Sequence, residues 1–96
     1  MPNEQQPMSI EVMPTAKDVI YTNAMQVSHT RDEFILDFLK LFPPTGTLNA
    51  RVVTSPGHLK RMIEALKENL IRYETTFGEV KIADAPSQAI GFTPEK

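Results

Sequence analysis

Six large apolar residues, Leu59, Ile63, Leu66, Leu70, Tyr73 and Phe77, follow one another at intervals of 4-3-4-3-4. At that repeat a helix keeps one line of side chains against a single surface along its whole length. The segment is punctuated at both ends. Ser55 is a good N-cap, Pro56 suits the first helical position, and Gly78 is a natural left-handed stop. The pattern therefore predicts one helix over 56–77, with Met62 and Ile71 widening its seam. Its 22 residues, at ~1.5 Å each, make a rod of ~33 Å. A compact body of about 60 residues is only ~27 Å across. The rod is longer than the globule that would have to cover it.

The rest of the chain is too short to resolve that mismatch with a second core, since 96 residues make one domain at most. With no cysteine there is no disulfide framework, thiol nucleophile or cysteine-based zinc site, which fits a reducing, cytoplasmic setting. Nothing near the start reads as a secretory apolar core or a run of ~20 apolar residues, so no membrane is expected. Residues 1–18 (net −2) and 83–96 (net −1) are poor in periodic apolar residues and read as flexible tails. Residues 19–82 carry eight bases and seven acids and form the single folded domain.

Within that domain three segments read as strands. From Val19 to His29, Tyr21, Met25 and Val27 alternate with Thr22, Gln26 and Ser28, a half-buried pattern of period two. Residues 33–42 are nearly all apolar. As a strand they place Phe34, Leu36 and Phe38 on one face and Ile35, Leu39 and Leu41 on the other. As a helix they would start at the capping-box spelling Thr30-x-x-Glu33. The strand is favoured because both neighbours are strand-like, and Pro43-Pro44-Thr45-Gly46 would end either form. The third strand covers 48–54, stopped by Ser55-Pro56. The fold class is α+β: an antiparallel three-stranded meander packed by one long amphipathic C-terminal helix.

A middle strand that is apolar on both faces needs two covers, and one helix supplies one. Each large side chain left uncovered forgoes roughly 1.5–3 kcal/mol of burial. A second copy of the chain is the simplest remedy, so a homo-oligomer is expected, most simply a two-fold dimer. The interface would draw on Phe34, Leu36, Phe38, Leu41 and Phe42 of the sheet. From the helix it would take Leu59, Ile63, Leu66, Leu70, Tyr73 and Phe77. The competing arrangement folds the N-terminal tail back as a fourth strand, through Met8, Ile10 and Val12.

Several short stretches also resemble a known family: Tyr21-x-Asn23, Val27-Ser28-His29, Glu33-Phe34-x-Leu36-Asp37-Phe38, Arg51-Val52-Val53-x-Ser55-Pro56-x-His58-x-Lys60 and Tyr73-Glu74-x-x-Phe77-Gly78. Over about residues 21–80 they look like the small prokaryotic domain of unknown function DUF3467. The resemblance implies a small bacterial or archaeal protein with no established activity, catalytic residue or cofactor to carry over. A looser likeness, of a strand meander followed by a Pro-started helix, is to the SecB-type export chaperones.

The strongest polar candidate is the start of the helix. Free N–H groups and the dipole favour anions there, yet the sequence places Gly57, His58, Lys60 and Arg61 after Ser55, with Arg51 upstream. A phosphate or a partner's carboxylate would compensate those cations. Alternatively they are a solvated face, with Lys60 pairing Glu64. His29-x-x-x-Glu33 lacks a third metal ligand, and Ser28-His29 point to opposite strand faces. Glu33 and Asp37, flanked by Arg31 and Lys40, read as solvation or salt-bridge partners rather than a catalytic pair. Gly46, Gly57, Gly78 and Gly91 form no phosphate loop, and a near-neutral domain with pI about 5.6 disfavours nucleic acid.

The expectation is a non-enzymatic, cofactor-free protein-binding or assembly module that binds itself. Its alternatives are a chaperone-like binder of extended polypeptide and an anion or nucleic-acid module at the basic helix start.

Overall fold

A computed structural model of the chain describes residues 7–84. Most of the two expected tails, 1–6 and 85–96, lies outside the described residues. A short 3-10 turn, Pro14–Lys17, precedes three strands and one helix: β1 (Ala24–His29), β2 (Phe34–Phe42), β3 (Thr45–Thr54) and α1 (Pro56–Phe77). The strands form an antiparallel sheet in the order β1-β2-β3. The α+β meander with a C-terminal helix is therefore as the sequence predicts, and of the ambiguous residues 33–42 all but Glu33 settle as strand.

The local chemistry explains that choice. Thr30 does cap its neighbours, but in a hairpin loop rather than a helix. Its hydroxyl accepts from the Asp32 and Glu33 N–H groups at 3.3 and 3.2 Å, while its own N–H donates to the Glu33 carbonyl at 2.9 Å. Cross-strand pairing then recruits the apolar run that follows, Val27 opposite Leu36 and Leu36 opposite Val52.

Two strand limits differ from the sequence reading. β1 begins at Ala24 rather than Val19 because the Asn23 side chain takes over the pairing. Its amide donates to the Leu41 carbonyl at 3.0 Å and accepts from the Leu41 N–H at 2.8 Å, reproducing one rung of a ladder. β3 begins at Thr45 rather than Leu48 because Pro43-Pro44 complete the turn alone and let Phe42 pair with Thr45. Opposite Leu41 sits Gly46, where a Cβ would lie 2.7 Å from the Leu41 Cδ2. Between Phe38 and Leu39 the β2–β3 register shifts, leaving Asn49 as the extra residue of a bulge. Its amide donates to the Tyr21 carbonyl at 3.1 Å and ties the chain ahead of β1 across β2 to the far strand.

The core is small and lies on the central strand. Leu36 and Leu39, each 4% exposed, are buried on opposite faces of β2, and Asp37 is buried between them in sequence. The competing arrangement, a fourth strand from the N-terminal segment, does not form among the described residues. Residues 7–13 carry no strand, and Met8, Ile10 and Val12 are all exposed.

The helix departs most from expectation. Rather than packing over the sheet, α1 makes at most a passing contact with it, and none of its 22 residues is buried. A single residue, Ser55, separates β3 from α1, so the helix leaves from the sheet's end instead of doubling back across a face. The radius of gyration, 17.5 Å, reflects this, against about 12 Å for a compact chain of the described length.

Candidate functional site

α1 is locally well specified. The Ser55 hydroxyl accepts from the His58 N–H at 3.1 Å, Pro56 opens the first turn, and the Gly78 N–H closes the last on the Glu74 carbonyl at 2.9 Å. Gly78 has φ 101°, a conformation that favours glycine. On the polar side Arg72 binds Glu68 one turn earlier at 3.2 Å. What remains is a line of apolar side chains in water. Leu59 is half-buried, but Ile63, Leu66, Leu70, Tyr73 and Phe77 are exposed, Leu66 at 68% and Phe77 at 72%. The Tyr73 and Phe77 rings lie against one another, centroids 4.9 Å apart.

The sheet residues expected to join this surface divide. Register places Phe34, Leu36, Phe38 and Phe42 on one face and Leu41 on the other. Leu36 is consumed by the core, Phe34, Phe38 and Leu41 are half-buried, and Phe42 is exposed. Around them Met25, Val27 and Val52 leave the first face only partly covered, as do Leu48 and Val53 on the second. An exposed apolar area of this extent marks an interaction surface more often than a free one.

The polar feature that sequence reasoning missed is a pair at the middle of the second face. Arg51 grips Asp37 from the adjacent strand with two charge-assisted bonds, Nε to Oδ1 at 2.7 Å and Nη2 to Oδ2 at 2.9 Å. The hydrogen bonds from Arg51, aided by its charge and against a desolvation cost, hold the Asp37 carboxyl below its ordinary value of 3.8. Asp37 does pair, but neither with Arg31 nor with Lys40. The available signal was one acid inside an apolar run, facing one base inside another.

That pair also bears on the basic cluster at the helix start. Arg51 is committed to Asp37, and the Ser55 hydroxyl to the His58 N–H, while Gly57, His58, Lys60 and Arg61 are exposed. Among the described residues Lys60 forms no ion pair with Glu64. No group of three or more His, Asp or Glu side chains there could hold a metal ion. No described helix is long and apolar enough to cross a membrane. An open notch beside the β2–β3 turn, lined by Lys40, Phe42, Thr45, Gly46 and Thr47, brings together no acid–base pair.

No curated protein and no solved structure matches the chain. A family model does, described as a protein of unknown function (DUF3467), and its match over residues 1–82 takes in the N-terminal segment as well as the stretches from Tyr21 to Gly78 that resemble the family. The chain belongs to the DUF3467 family.

Proposed function

We propose that this protein is a non-enzymatic assembly module whose first partner is a second copy of itself. One observation supports the reading: an apolar line running the length of a capped 22-residue helix has no cover among the described residues. The segment ahead of the sheet supplies no cover, being itself exposed at Met8, Ile10 and Val12. Each side chain that passes from water into a contact gains roughly 1.5–3 kcal/mol. Several together suffice to offset the entropy of association. The measurement is absolute mass by light scattering or sedimentation over a range of concentrations. A dimer or larger assembly that dissociates on dilution is expected. A folded monomer at high concentration would overturn the reading.

A second reading is favoured by the sheet edges. β1 and β3 each present an outer row of backbone groups without a strand partner among the described residues, flanked by half-exposed apolar faces. An extended polypeptide could add there as a strand. Suppressed aggregation of an unfolded model client, lost on Val52→Asp, would favour this reading. The anion alternative has less support, since Arg51 and Ser55 are already engaged within the chain.

A further inference from the structure

Resting on the self-assembly reading, we infer that α1 pairs antiparallel with α1 of a second copy, in the register that sets Ile63 opposite Tyr73. Three features of the helix point to this arrangement over a parallel one. The first is size. In the antiparallel register Leu59 meets Phe77, Ile63 meets Tyr73 and Leu66 meets Leu70 of the other copy, so every ring faces an aliphatic side chain. The two helices then keep an even separation along their length. A parallel pair would stack ring on ring at one end and leucine on leucine at the other, and its axes would splay.

The second is charge. With the apolar line at heptad positions d and a, the residues flanking it on one side are Lys60, Lys67 and Glu74, and on the other Met62, Asn69 and Thr76. Antiparallel pairing brings Lys60 of each copy opposite Glu74 of the other, twice by symmetry, while Lys67 meets its own copy at the two-fold axis. Parallel pairing offers the flanks no opposite charges. It also gathers Lys60 and Arg61 of both copies at helix N-termini, where cations are least favoured.

The third is the position of the sheet. Only Ser55 separates β3 from α1, which fixes each sheet at the N-terminal end of its helix. An antiparallel pair puts the two sheets at opposite ends of a rod ~33 Å long, whereas a parallel pair would crowd them together.

The chain has no cysteine of its own, which makes the test direct. Ile63→Cys and Tyr73→Cys variants are oxidised separately and after mixing, and each is weighed in its reduced form. Antiparallel pairing predicts a covalent dimer from the mixture and none from either variant alone, since like positions are then ~15 Å apart along the axis. Cross-linking of each variant with itself, and not in the mixture, would mean a parallel pair and overturn the inference. Reduced dimers that cross-link in neither experiment would place the contact elsewhere, sinking the inference while leaving self-assembly standing. Reduced monomers would sink both. Charge reversal supplies an independent readout. Lys60→Glu should weaken the dimer about tenfold, from two symmetric pairs made repulsive, and Lys60→Glu with Glu74→Lys should restore it. Equal weakening by the double variant would count against the register.

Discussion

The sheet and the helix of this protein are built on opposite terms. In the sheet, cross-strand register, a side-chain rung from Asn23, a bulge bridge from Asn49 and the Asp37–Arg51 pair tie residues far apart in sequence into one unit. Its stability is tertiary, though it rests on little buried surface beyond Leu36 and Leu39. The helix is held by contacts one turn apart, by caps and by a single i,i+4 ion pair. Such local terms leave a helix of this length marginal in water, because helices in proteins draw most of their stability from packing an apolar face. So, among the described residues, the sheet is held by long-range contacts, whereas the apolar line of the helix has no cover.

Core truncation should separate the two regions most widely. Leu39→Ala should cost about 2–5 kcal/mol, a large share of what a domain this small possesses, and should appear as cooperative loss of the whole fold in urea. Leu66→Asp removes a side chain that touches no core, so it should abolish assembly while the sheet persists. Circular dichroism and light scattering on both variants read this difference. A Leu66→Asp protein that unfolds entirely would erase the distinction between the regions.

A smaller effect is expected at Asn23. Replacing it with Ala removes two hydrogen bonds to the Leu41 backbone and should lower stability by about 1–2 kcal/mol without altering assembly. For the helix the counterpart is Ser55→Ala, which removes the cap from the His58 N–H at a cost of about 1 kcal/mol. Its loss should show as reduced helical signal that recovers as protein concentration rises. In the sheet variant no concentration dependence is expected.

What could be read from the sequence follows the same division. Helix limits were legible because they are local: Ser55-Pro56 at one end, Gly78 at the other, and a heptad line between. The strand character of residues 34–42 was legible only through its neighbours, since Thr30 offers the same capping hydroxyl to a loop as to a helix. The start of β1 and the Asp37–Arg51 pair were not legible, because each depends on register between segments more than ten residues apart. The packed helix was expected from amphipathicity alone. An apolar line states that a partner surface exists and carries no information on whether that surface belongs to the same chain.

The smallest effect at neutral pH, and the most selective for the sheet, belongs to Asp37. Its carboxyl is held below the ordinary value of 3.8 by the two hydrogen bonds and the charge of Arg51, so the folded state binds its proton less readily than the unfolded chain. The unfolded state then carries more bound protons over that interval, and stability rises with pH across it. The contribution is complete above the ordinary carboxylate range and disappears as pH falls through the depressed folded value. Asp37→Asn abolishes this titration. Its unfolding midpoint in urea should therefore lie below that of the unaltered protein at pH 6 and converge with it as the pH falls through the depressed folded value. The helix contains no comparable part-buried pair, its Glu68–Arg72 bridge being exposed on both sides. Parallel curves for the Asp37→Asn and unaltered proteins down to the acid limit would show that the pair contributes geometry to the sheet and no pH-linked stability.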